Sequence, residues 1–159
     1  MISLQPICRT ALILVSMVLL WPVAESGVRM HALAAQTDAS TAQLGKTRSQ
    51  AESQHEIILL LIKKKEFSQA LAEAHRIFEM KWPADQEPTL LKELLLLSDR
   101  FLHAQQAAIG IRLLETNMKS FKNPASQAAI WKDKGYLYKN LGDNDKALEC
   151  FRQAQRLEK

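Results

Sequence analysis

Residues 131–151, WKDKGYLYKNLGDNDKALECF, constrain the fold more than any other stretch of the chain. Their apolar and aromatic side chains recur at the three- and four-residue steps of an amphipathic helix. The pattern stops at Gly142, which ends a helix cheaply because it enters the left-handed region without a Cβ clash. Asp143-Asn144-Asp145 then starts a second helix with acidic side chains at its positive end. The two helices must cross closely. Gly135 and Ala147 are the small residues that allow the crossing, and Trp131, Tyr138 and Phe151 fill the space above and below it. A hairpin of this kind cannot bury its own apolar face and needs stacked neighbours.

The preceding sequence supplies them. Ser49 and Glu52 read as a capping box that opens a helix, with Ile57, Ile58, Leu61 and Ile62 as its stripe. After a break at Lys65-Glu66-Phe67, a second stripe follows through Ala70, Leu71, Ala74, Ile77 and Phe78. Trp82-Pro83-Ala84-Asp85 ends it, since proline cannot continue the hydrogen-bond ladder. Pro88 opens the next helix, which is apolar nearly all round from Leu90 to Leu102 and so suits a place between neighbours. Ala107, Ala108, Ile111, Leu114 and Met118 mark its return, and Asn123-Pro124 caps a third pair. Aligned on Ala70, Ala107 and Ala147, the pairs are spaced by 37 and 40 residues, with the extra residues in 81–87 and 120–124. With only 5 Gly and 5 Pro in 159 residues, the expectation is an all-α chain.

Trp131, Gly135, Tyr138, Gly142, Ala147, Phe151 and Ala154 fall on the signature positions of the tetratricopeptide repeat, a helix–turn–helix unit of about 34 residues. The last hairpin resembles that family closely, with Lys134 where Leu is usual and Lys159 where Pro is usual. The first hairpin keeps Leu61, Ala70, Ala74 and Ile77 but has Ile58 at a small-residue position and no Gly at Lys65. The middle one keeps only Ala107, Ile111 and Leu114. The resemblance implies a domain over 49–159, with repeats at about 51–84, 88–121 and 125–159, stacked as a short right-handed α-solenoid.

The resemblance also implies a concave groove, lined by the first helix of each hairpin, that holds peptide segments. Its positions carry over to His55, Leu59, Ile62 and Lys63, then to Lys92, Leu96, Asp99 and Arg100, and then to Lys132, Tyr136, Lys139 and Asn140. Five cations against one acid imply attraction for an acidic segment or a C-terminal carboxylate. Leu59 and Leu96 depart from the pattern, standing where a full carboxylate clamp would need Asn. The same lysines also fit the solvated faces of short helices.

Residues 1–34 read as a targeting segment. One Arg precedes the apolar run 11–24, and Ala32-Leu33-Ala34 offers the small-x-small pattern of signal cleavage after Ala34. The run is short for a membrane span of about 20 residues, so an uncleaved anchor over 10–24 is the alternative. The reading is an exported protein of the bacterial periplasm or one tethered to the inner membrane. Residues 35–48 are polar and aperiodic and read as a flexible linker. Cleavage would remove Cys8 and leave Cys150 without a disulfide partner.

Other functions find little support. A net charge of +4, with no run of like charge beyond Lys63-Lys64-Lys65, gives no nucleic-acid footprint. The two cysteines and four scattered histidines make no zinc spacing, no catalytic motif occurs, and no cofactor is expected. The expectation is a non-enzymatic adaptor for a protein partner. Leu148, Phe151 and Leu157 on the last helix lack an evident cover and are candidates for self-association as a homodimer.

Overall fold

The computed structural model describes the backbone of residues 25–159 and side chains from Ser40 onward. Among the described residues six α-helices follow one another: α1 Glu25–Lys63, α2 Phe67–Glu79, α3 Glu87–His103, α4 Ala107–Asn117, α5 Pro124–Asn140 and α6 Asn144–Leu157. Short 3₁₀ turns at Ala84–Gln86 and Met118–Ser120 precede α3 and follow α4. The described residues contain no strand, and the architecture is an all-α, tetratricopeptide-like helical repeat. The chain divides into units of residues 1–38 and 39–159, and the repeats occupy the second. The apolar run 11–24 and the side chain of Ala34 lie outside the described residues.

The start of the first hairpin differs from the sequence expectation. Residues 35–48 are helical, and the Ser49 capping box does not form because Ser49 sits inside α1. Its carbonyl accepts from the Ser53 hydroxyl at 3.1 Å instead. The physical reason is composition: Ala39, Ala42, Gln43 and Leu44 favour helix, and no proline interrupts them. Thr47 is 3% exposed and Arg48 Nη2 donates to Gln86 Oε1 at 2.7 Å, so the last part of the segment is packed into the repeats.

The three hairpin turns share one geometry. Lys65, Gln105 and Gly142 each adopt a positive φ, of 64°, 62° and 79°. The following amides of Glu66, Gln106 and Asp143 donate to Leu61, Phe101 and Tyr138, and those of Ala70, Gly110 and Ala147 donate to the Glu66, Gln106 and Asp143 carbonyls. Gly110, not Ala107, therefore stands in register with Ala70 and Ala147. The middle repeat shifts by three residues from the alignment on alanines. Ala107 misleads because it is small and buried too, at 3% exposure, but it is the first residue of α4.

Close approach explains these small residues. A Cβ on Gly135 would meet the Phe151 ring at 2.8 Å, and one on Gly110 would meet Leu137 at 3.2 Å. Ile58, Leu94, Leu97, Phe101, Leu113, Leu114, Ile130 and Leu137 form a continuous core across the hairpins, each at most 1% exposed. Asn123 caps α5 by accepting from the Ala125 amide at 2.9 Å, and Asp143 caps α6 by accepting from Lys146 at 3.1 Å. Glu87 ties the loops together, taking the Lys122 and Asn123 amides at 3.1 and 3.0 Å.

Gly45, inside α1, has nothing within 4 Å of an added Cβ, whereas Gly135 has the Phe151 ring. Gly45→Ala should stabilise the fold by about 0.5–1 kcal/mol through helix propensity. Gly135→Ala should destabilise it by about 1–3 kcal/mol through overpacking. Denaturant unfolding of both variants checks the opposite signs. Equal effects would contradict the crossing described here.

Candidate binding cleft

A cavity of about 420 Å³ lies between α1 and α3, the first helices of the first two hairpins. Its walls follow from helical spacing. Arg48, Glu52, His55 and Glu56 make a row at three- and four-residue steps along α1, and Thr89, Lys92, Glu93 and Leu96 make a facing row along α3. Ala51, Leu90 and Trp82 add apolar surface. Trp82 comes from the α2–α3 loop, where its Nε1 donates to the Ile77 carbonyl at 2.8 Å and fixes the indole.

Several of the polar groups are already engaged. His55 Nδ1 and Glu93 Oε1 lie 2.5 Å apart and join the two walls. Arg48 is bonded to Gln86, which is 8% exposed and also donates to Asp85 at 3.0 Å. Glu52, Glu56 and Lys92 are exposed and have no ion pair among the described residues. The cleft thus carries three carboxylates beside two lasting cations. This differs from the five-to-one cationic balance read from the sequence.

Of the twelve groove positions read from the sequence, the structure brings His55, Lys92 and Leu96 into this cleft. Lys63 is exposed on the last turn of α1, and Arg100 is exposed on α3 outside the cleft lining. Lys132 pairs with Glu158 at the end of α6. Tyr136 packs edge-on against Phe151, with centroids 5.2 Å apart at 71°. Lys139 and Asn140 are exposed at the end of α5. The three-residue shift makes Leu95, Asp99, Leu102 and His103 the register partners of Lys132, Tyr136, Lys139 and Asn140.

Arg48, Glu52, Trp82 and Glu93 were not singled out as groove residues. The linker, the capping box and the loop absorbed the first three in turn. The row 48-52-56 would have pointed to the wall had α1 been extended backward. On the far face of the last hairpin, Leu148 is 48% exposed, Phe151 and Leu157 are half-buried, and Ala154 is fully buried.

The tetratricopeptide repeat family model matches residues 128–159, which span most of α5 and all of α6. That hairpin is similar to a tetratricopeptide repeat. No curated protein matches the chain as a relative. Tetratricopeptide repeats mediate protein–protein interaction and are typically non-enzymatic scaffolds.

The matched repeat also accounts for its departure at Lys134. The Lys134 side chain is 11% exposed, reaches Glu115 Oε1 on α4 at 2.7 Å, and lies 4.7 Å from the Trp131 ring centroid and 5.7 Å from that of Tyr138. The ammonium thus keeps a carboxylate and two aromatic faces where the repeat usually has Leu. Cys150 is buried beside it and unpaired. Burial pushes its thiol up, the Lys134 charge opposes that, and the Glu149, Glu115 and Asp143 carboxylates add to it, which keeps the group protonated and unreactive.

Between α3 and α5, Ser98 Oγ and Asp133 Oδ2 are buried without a completed hydrogen bond. Burial raises the Asp133 carboxyl above its usual range, the nearby Ser98 hydroxyl lowers it, and the Asp99 charge raises it further. A carboxyl raised in the folded state costs stability above its folded pKa, and the cost fades as pH falls from there towards the unfolded value. Asp133→Asn should therefore stabilise the repeats at pH 7, with the difference shrinking on acidification. Urea midpoints at pH 7 and pH 4 check this, and a gain that grows at pH 4 would contradict it.

Proposed function

We propose that the chain is a non-enzymatic adaptor of the cell envelope that holds a segment of a partner protein in the cleft between α1 and α3. The observation that carries this reading is the cleft itself. It has facing helical rows, an immobilised indole and a volume of about 420 Å³. That volume lies at the small end of the ~300–1,000 Å³ range of ligand pockets and suits a few side chains of a segment. Apolar contacts with Trp82, Leu90 and Leu96 supply most of the affinity, because the lasting charges on the walls oppose one another.

Placement in the envelope rests on the apolar run 11–24 and the Ala32-Leu33-Ala34 pattern. No helix among the described residues is long and apolar enough to cross a membrane. Export with cleavage after Ala34 predicts an intact mass that begins at Ala35.

The test fills the cleft. Thr89→Trp with Leu96→Trp places two indoles in the cavity at positions that are not fully buried, so the helices keep their packing. In affinity capture from envelope extract, a partner held by the parent should be lost, by at least about tenfold, on the filled variant, with helical circular dichroism unchanged. A partner held equally by both would contradict the cleft as the binding surface.

A further inference from the structure

We infer that the cleft selects a segment presenting a basic side chain beside an apolar anchor, with the α1 wall taking the cation. This rests on the reading of the cleft as a segment-binding surface and reverses the charge preference that the sequence suggests.

A ligand meets only the charges of the cleft that the protein has not already paired. Arg48 is held by the buried Gln86 amide oxygen at 2.7 Å, and Glu93 is held by His55 at 2.5 Å. Of the charges that line the cleft, Glu52, Glu56 and Lys92 are exposed and make no ion pair with the described residues. Glu52 and Glu56 lie one helical turn apart in the same row, so a single ammonium or guanidinium at the α1 wall meets two carboxylates. An acidic segment finds one free cation and two repelling carboxylates. A basic one finds the reverse.

The second observation is Trp82. Its Nε1 bond to the Ile77 carbonyl pins the indole in the cavity lining. An aromatic ring near carboxylates is a favourable surface for a cation, and the methylene stem of Lys or Arg packs on apolar surface while its charged end reaches the acids. Leu90 and Leu96 then take the neighbouring apolar side chain.

The experiment uses the full chain and three fluorescein-labelled peptides with one apolar core, Leu-Trp-Leu-Leu, flanked on both sides by Lys, Gln or Glu. Fluorescence anisotropy at low salt should give the Lys-flanked peptide a Kd about fivefold below that of the Gln-flanked one, with the Glu-flanked peptide weakest. Glu52→Gln with Glu56→Gln, both at exposed positions, should bring the Kd of the Lys-flanked peptide to that of the Gln-flanked one measured on the same variant. Tightest binding of the Glu-flanked peptide overturns the inference. So does a Lys preference that survives in the double variant. In either case, loss of binding on the filled cleft leaves the segment-binding reading standing. Binding of all three peptides that persists in the filled variant overturns that reading as well, and no binding of any peptide overturns the inference.

Discussion

The Phe151 ring lies against the backbone of Gly135, and the last hairpin depends on that contact. A side chain at Gly135 would sit inside the ring's van der Waals radius, at 2.8 Å, so α5 and α6 approach this closely only because glycine is there. The closeness lets Ala147 and Ala154 disappear into the crossing, at 4% and 0% exposure. It also leaves the rest of α5 free to pack on α3 and α4 through Ile130 and Leu137. In the middle hairpin the tight position is Gly110 on α4, where an added Cβ would meet Leu137 of α5 at 3.2 Å and the Ser98 carbonyl of α3 at 3.4 Å. The first hairpin has Ala70 in that register, and Ala70 and Ile58 are both fully buried. Stability in such a stack is shared between each hairpin and its interfaces, so a loose crossing at one weakens its neighbour.

Much of this was legible in the sequence because it is local. The turn at Gly142, the Asn123 and Asp143 caps and the breaks at Lys65 and Trp82 all follow from backbone chemistry that a few residues encode. Two things were not legible. The register of the middle repeat depends on which small residue faces the crossing, and Ala107 and Gly110 differ there only in tertiary context. The start of α1 was hidden because residues 35–48 lack an apolar period, although they have good helix formers and no proline.

Those two points together moved the candidate site. The shift takes both Lys92 and Arg100 out of the groove register, yet Lys92 lines the cleft and Arg100 does not, and extending α1 backward brings Arg48 and Glu52 into it. The sequence count of groove charges had treated every position as equally free. The structure commits Lys132 to Glu158 and Glu93 to His55, and what stays free is the acidic row on α1 beside Lys92. Specificity in a cleft of this kind is decided by the charges left after the protein has satisfied its own.

The end of the segment expected as a linker, together with the residues that follow it, forms one wall of the cleft. Amide hydrogen exchange over residues 44–58 is the test of that wall. Docked helix predicts protection that rises along α1 to the level of α3 at Ile58, because Thr47 and Ile58 are buried and His55 is bonded to Glu93. Exchange at unprotected rates from residue 44 through 54, with protection beginning only near Ile58, would mean that the wall is not formed and the cleft does not exist.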